Sequence, residues 1–206
     1  MIRPVSAKFV TSAPSIKEAP PASISEVAFL GRSNVGKSSL LNALTDRKGL
    51  AKASATPGKT KLINFFDVEY KIGEQRFPIR FVDLPGYGYA KTSKSLKNAW
   101  QKSLTEFLAK RDSIRVFVHL IDARHPDMPI DLQTQEFLSS IKRGDQKIVR
   151  VYTKVDKLKQ QDIAKIKRQD PEAILVSSTK KRGLERLKKI IVEHLFGTDI
   201  SQTETD

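Results

Sequence analysis

The chain has 206 residues, 39% of them apolar, and carries a formal net charge of +14. That length holds one domain with a sizeable core, the composition is too apolar for disorder, and with no cysteine the chain has neither disulfides nor thiolate metal sites. No apolar run approaches a membrane span and the opening residues lack the apolar core of a secretory signal, so a cytoplasmic protein is expected. Its charge suits either a polyanionic partner such as nucleic acid or a solvated lysine-rich surface.

Residues 1–21, with Pro4, Pro14, Pro20 and Pro21, read as an extended arm. Val27 to Leu30 is a short buried strand, and a helix starts at Lys37. "KLINFFDVEYKI" and "RFPIRFVDLP" read as two extended segments joined by a turn at Gly73. Leu96, Trp100, Leu104, Phe107 and Leu108 then recur at helical spacing. "SIRVFVHLID" and "KIVRVYTKVD" are apolar and β-branched, the signature of central parallel strands. Asp131 to Ile141 and Ile163 to Arg168 carry weaker helical patterns. "AILVSS" is a last short strand, followed by a helix through Leu184, Leu187, Ile191 and Leu195 and a polar tail over 198–206. Six strands alternating with helices predict an α/β domain over 22–197. Its sheet would be mostly parallel and covered on both faces. Ligands of such sheets bind beyond the carboxyl ends of the strands, and every motif below falls at such an end.

Gly31, Gly36, Lys37 and Ser38 match G-x-x-x-x-G-K-[ST] between a strand and a helix. The glycines let the backbone curl so that N–H groups from Arg32, Ser33, Asn34 and Val35 face phosphate oxygens. The following helix adds its positive end. Lys37 reaches the β- and γ-phosphates, and the Ser38 hydroxyl suits Mg²⁺. The alternative is a chance turn.

"FVDLPGYGYA" places Asp83 at a strand end, followed by Leu84, Pro85 and Gly86. The carboxylate suits Mg²⁺ through a water and the Gly86 N–H suits a γ-phosphate. Between this motif and the first lies "TPGKTKLINFF", where Thr56 or Thr60 could offer a hydroxyl to the same ion. Loss of the γ-phosphate would release that loop.

"YTKVD" places Thr153, Lys154, Val155 and Asp156 at another strand end. This is close to N-K-x-D. A carboxylate accepts from guanine N1–H and the 2-amino group, whereas adenine offers a lone pair at N1, and a site built on such pairs discriminates by roughly 10⁴-fold. The Lys154 stem suits the base plane. "LVSSTK" puts Val176, Ser177 and Ser178 where backbone N–H groups could meet guanine O6. The order of the motifs favours GTP over ATP.

Together, "TPGKTKLINFF", "DLPGYGYA", "LIDARHP" and "TKVDK" resemble the EngB (YihA/YsxC) GTPases, bacterial ribosome-assembly factors of the translation-factor-related class, over about residues 22–197. The resemblance implies a P-loop NTPase fold of the Ras-like G-domain kind. It implies GTP contacts at Gly31–Ser38, at Gly58, Lys59, Thr60, Lys61 and Leu62, at Asp83–Gly86, at Thr153–Asp156 and at Val176–Ser178. It selects Thr60 over Thr56 as Mg²⁺ ligand beside Ser38. It also implies a monomer acting on the maturing large ribosomal subunit, with a link to cell division and no membrane association. Thr153 departs from the Asn common among GTPases, and its hydroxyl replaces only part of an amide's bonding, which predicts modest nucleotide affinity.

Ras-type GTPases orient the attacking water with a Gln after D-x-x-G; here Tyr87 holds that position, followed by Gly88 and Tyr89. Slow intrinsic hydrolysis is expected, with help from a partner or an ion. Asn34 resembles the residue with which potassium-stimulated GTPases hold K⁺, whose charge would offset that developing on the β–γ bridge.

Lys91, Lys94 and Lys97 form one basic group. Lys157, Lys159, Lys165, Lys167 and Arg168 form a second, and Lys180, Lys181, Arg182, Arg186, Lys188 and Lys189 a third. Few aromatics lie between them, so phosphate-backbone contact to structured RNA is expected rather than base stacking. His119, His125 and His194 are scattered and receive no metal or catalytic role. A GTP-switched assembly factor leads. An RNA-binding module with GTP as structural ligand and a P-loop kinase are the alternatives, though no insertion is large enough for a kinase lid.

Overall fold

Five parallel strands bring their carboxyl ends to one edge of the sheet in the computed structural model, which describes residues 1–52, 62–87 and 94–197, with only the helical backbone for 94–101. They are β2 (Glu26–Gly31), β4 (Gln75–Asp83), β5 (Ile114–Asp122), β6 (Lys147–Thr153) and β7 (Ile174–Leu175). Two further strands, β1 (Arg3–Ala13) and β3 (Ile63–Ile72), extend the sheet beyond β4 as antiparallel neighbours, giving the order β1-β3-β4-β2-β5-β6-β7.

The expected six-stranded sheet is therefore seven-stranded. The added strand comes from the segment read as an arm, which pairs with β3 from Arg3↔Lys71 to Ala13↔Ile63. Its pattern hides the strand for physical reasons. Register shifts between Pro4 and Ser6 and between Phe9 and Thr11 break the two-residue period. Val5 and Phe9 face outward, and Phe9 stacks edge-on against Phe66 instead of entering the core. Pro4 is tolerated because the strand lies at a sheet edge.

Alternation along each central strand feeds two layers. Val27 and Phe29 point to one side of β2, beneath α1 (Lys37–Thr45) and α5 (Leu184–Phe196), where Leu40, Leu44, Leu187 and Ile191 are fully buried. Ala28 and Leu30 point to the other, toward Phe107 of α2 (Lys94–Lys110) and Leu138 of α3 (Pro129–Ile141). A smaller cluster seats Ile166 of α4 (Gln160–Gln169) against Ile121 and Tyr152. Full burial of one such side chain stabilises by about 1.5–3 kcal/mol. The helix over Asp131–Ile141 starts two residues earlier, at Pro129, whose fixed φ and missing N–H suit a first helical position.

A buried ion cluster secures the entry to β2. Glu26 is fully buried and takes Arg111 Nε at 2.9 Å and Nη2 at 2.6 Å. Arg111 also donates to the Pro20 carbonyl at 2.7 Å, and Arg80 to the Pro21 carbonyl at 2.9 Å. The two prolines supply carbonyls to guanidinium groups that are also paired with Glu26 and Asp67, and this fixes the chain where it enters the sheet.

Candidate nucleotide site

β2 ends at Gly31 because the backbone must turn where no side chain fits. A Cβ there would lie 2.8 Å from Val35 Cγ1 and 2.9 Å from the Leu120 carbonyl. Asn34 (φ 62°) and Gly36 (φ 103°) are both left-handed, and they curl the loop back so that α1 opens at Lys37. Such a curled loop ahead of a helix terminus gathers backbone N–H groups on one side, the arrangement that binds anions.

The D-x-x-G segment lies directly against this loop. Leu84 N–H donates to Phe29 O at 3.1 Å, Tyr87 N–H to Gly31 O at 3.2 Å, and Ser33 N–H to Tyr87 O at 3.1 Å. Gly86 is needed for the approach, since a Cβ there would stand 3.0 Å from Ser33 N. Pro85 completes the turn between them. The Lys37 ammonium is ion-paired with Asp83, whose other oxygen takes Asn64 Nδ2 at 3.5 Å. Ser38, at the start of α1, donates to Lys52 O at 3.4 Å. Among the described residues no group of three His, Cys, Asp or Glu side chains could hold a metal ion. A hydroxyl and one nearby carboxylate do fit Mg²⁺, which keeps several waters and binds few protein groups. Gly58, Lys59, Thr60, Lys61 and the alternative Thr56 lie outside the described residues; Leu62 is described, immediately before β3.

The β6 end joins the same loop. The Thr153 hydroxyl donates to Val35 O at 2.6 Å, with Ile121 O at 3.3 Å. Lys154 is left-handed (φ 60°), and its ammonium donates to Asn34 O at 2.5 Å and to Asp122 Oδ2 at 2.9 Å. Val155 N–H reaches Val176 O at 3.3 Å and Val176 N–H reaches Tyr152 O at 2.8 Å, so the two base-side segments are laced together. Asp156 accepts from the Ser177 hydroxyl at 2.6 Å, which holds its carboxyl below the usual range. The Ser177 N–H donates to Arg182 O at 3.2 Å. That removes it from the amides expected to face a guanine carbonyl, and Ser178 beside it remains half-buried. The turn needs Gly183, where a Cβ would strike Leu175 O at 2.1 Å.

Two features had no expected role. Asp122, last in β5, is buried and takes the Arg124 side chain at 3.0 and 2.7 Å, the Arg124 N–H at 3.1 Å and Lys154. Burial alone would raise its carboxyl, but these donors hold it far below the ordinary range. Its one sequence signal, an acidic residue closing an apolar strand, does not separate a clamped carboxylate from a solvated one. The second is a network around Tyr87. Its hydroxyl donates to Asp131 at 2.8 Å and meets His119 Nε2 at 2.9 Å; Arg32 Nε donates to Asp131 at 3.0 Å, and His119 Nδ1 meets Gln135 at 3.1 Å. Burial, then Asp131, pushes the Tyr87 phenol far up. His119 is thus a buried member of this network.

The chain is 54% identical over 94% of its length, and 98% of the relative's, to the Aliarcobacter butzleri protein named "Probable GTP-binding protein EngB". A family model described as "50S ribosome-binding GTPase" matches residues 26–154. The chain belongs to the EngB family of GTP-binding proteins. Its GTPase fold is similar to the crystal structure of a probable GTP-binding protein engB, with TM-score 0.62, 25% identity and coverage of 84% of this chain and 100% of that one. It is also similar to Era crystallised with MgGDPNP and nucleotides 1506-1542 of 16S ribosomal RNA, with TM-score 0.62, 28% identity and coverage of 84% of this chain and 57% of that one. For an EngB-family chain the ligand class is GTP and GDP, and the site just described lies at the strand ends where that fold binds them.

Proposed function

We propose that this chain is a cytoplasmic, monomeric GTPase switch for maturation of the large ribosomal subunit, with a downstream effect on cell division. The observation that carries the switch is the pair of hydrogen bonds joining Ser33 and Gly31 to Tyr87. They couple the phosphate loop to the start of the second switch, so a change at the phosphates is transmitted to residue 87 and the segment after it.

In this reading the Gly31–Ser38 loop binds the phosphates, Lys37 leaves Asp83 for the β- and γ-phosphates, and Asp156 reads guanine. Ser38, with Asp83 through a water and Thr60, would hold Mg²⁺, which when bound neutralises charge building up between the β- and γ-phosphoryl groups. Tyr87 offers no amide to orient a water, and its hydroxyl is already engaged with Asp131 and His119. Intrinsic hydrolysis is therefore slow, and a ribosomal partner or K⁺ near Asn34 supplies the missing stabilisation. Turnover higher in KCl than in NaCl supports the ion; equal turnover refutes it.

Ribosomal RNA is the proposed partner chemistry. Lys157, Lys159, Lys165, Lys167, Arg168, Lys180, Arg182 and Arg186 are exposed. Lys188 is withdrawn from the expected basic face: it is buried, bound to Ile2 O at 3.1 Å and to Glu185 at 2.7 Å. Lys91 lies outside the described residues, as do the side chains of Lys94 and Lys97. Co-sedimentation with ribosomal subunits tests the whole reading. Pelleting with the large subunit in a non-hydrolysable GTP analogue but not in GDP supports it. Equal pelleting in both would favour GTP as a structural ligand, and no pelleting would refute the ribosomal role.

A further inference from the structure

Asp122 closes β5, one strand away from the loop that carries Gly36. Four donors converge on its carboxylate, and one of them, the Lys154 ammonium, is held on its far side by the Asn34 carbonyl. Both anchors grip the tip of the Lys154 side chain, whose stem passes beside the phosphate loop with its Cε 3.8 Å from where a Gly36 Cβ would be. A lysine stem is otherwise a flexible four-carbon chain. Fixing it at its tip before a ligand arrives removes an ordering cost that binding would otherwise carry.

We propose that Asp122 is a positioning residue for nucleotide binding, which acts by holding the Lys154 ammonium so that its stem forms a fixed floor for the base. The inference rests on the guanine-nucleotide reading of the site. Asp122 does not itself read the base. Asp156 supplies that selectivity, so the contribution of Asp122 is the same for a purine with or without the 2-amino group. Arg124, which grips both oxygens of Asp122, keeps the carboxylate oriented with one oxygen toward Lys154.

A double-mutant cycle tests this through Lys154. Affinities for GDP and inosine diphosphate are measured by calorimetry for the full chain, for Asp122→Asn, for Lys154→Met and for the double variant. Asp122→Asn is expected to weaken both ligands about tenfold and by the same factor, the scale of losing a hydrogen bond to a charged group. In the Lys154→Met background the same substitution is expected to change affinity by less than about twofold, because its route of action is gone. Wild-type affinity in Asp122→Asn, or losses that multiply in the double variant, would overturn the inference. A loss for GDP alone would do the same. If Asp122→Asn melts below the assay temperature, Asp122→Ser takes its place in the cycle under the same criteria. Failure of the wild-type chain to bind any guanine nucleotide is a separate result, which overturns the site reading and the inference with it.

Discussion

Thr153 spends its one hydroxyl hydrogen on the Val35 carbonyl, 2.6 Å away, and so ties the end of β6 to the phosphate loop. An asparagine amide would have an oxygen and a second hydrogen left over. Thr153→Val keeps the shape and removes the donor, leaving a buried carbonyl short of a partner. It is expected to lower unfolding stability by about 1–3 kcal/mol in a urea titration and to weaken GDP binding. The wild-type chain is expected to bind GTP with micromolar or weaker affinity, and nanomolar binding in calorimetry would contradict this account of Thr153.

Glu26 offers a harsher test. Its carboxylate is fully buried against Arg111, with Arg80 3.9 Å away. Glu26→Gln removes the negative charge that Arg111 faces, while Arg80 keeps its pair with Asp67 at 2.7 Å, so one buried guanidinium group loses its counter-charge, a loss on the order of 3–5 kcal/mol. Guanidinium denaturation should show a lower midpoint. A loss under about 1 kcal/mol would mean that water reaches the cluster.

His119 predicts a pH dependence. Burial lowers its pKa, opposed by the Gln135 hydrogen bond and by Asp131, with Arg150 adding to the lowering; Tyr87 is its other neighbour. With the folded pKa below the unfolded value of about 6.5, the unfolded chain takes up the proton first. The stability is therefore fully present above that pH and is lost as pH falls through the folded pKa. Thermal melts from pH 7.5 downward should show a slope that His119→Gln flattens. Asp122, also lowered, loses its contribution only below the ordinary carboxylate range, so the two windows separate.

Gly183 is left-handed (φ 74°) and stands where a Cβ would overlap the Leu175 carbonyl. Gly183→Ala is expected to cost at least about 2 kcal/mol and to displace the Ser177 turn. A melting temperature within a degree of wild type would show that the turn can shift without penalty.

The parallel core and the phosphate loop were legible because their signals are local. Val27–Leu30, the β5 and β6 runs and the G-x-x-x-x-G-K-S spacing each announce themselves within a few residues. β1 was not legible, because its pairing is with residues some sixty positions later and its bulges erase the alternation a strand should show. The helix read from Asp131 to Ile141 was legible but for Pro129 and Ile130, and the one read from Ile163 to Arg168 but for its opening residues and Gln169. Asp122 and the Tyr87–Asp131–His119 contacts were invisible for another reason. The Tyr87 network and the Asp122–Lys154 pair join residues far apart in sequence, and a single polar residue at a strand end reads the same whether it is solvated or clamped. The Ser177 amide was legible as a strand-end position, whereas its hydrogen bond to the Arg182 carbonyl depends on a turn that the sequence does not display.

The edge position of β1 bears on how the chain is made. Its eleven residues are synthesised well before β3, their strand partner among the described residues, which begins at Ile63. A newborn chain thus carries an unsatisfied ribbon of amides until that partner has been synthesised, and such distant pairings form slowly. Val5 and Phe9, which stay at the surface afterwards, are a modest apolar load for a nascent segment that must wait in water.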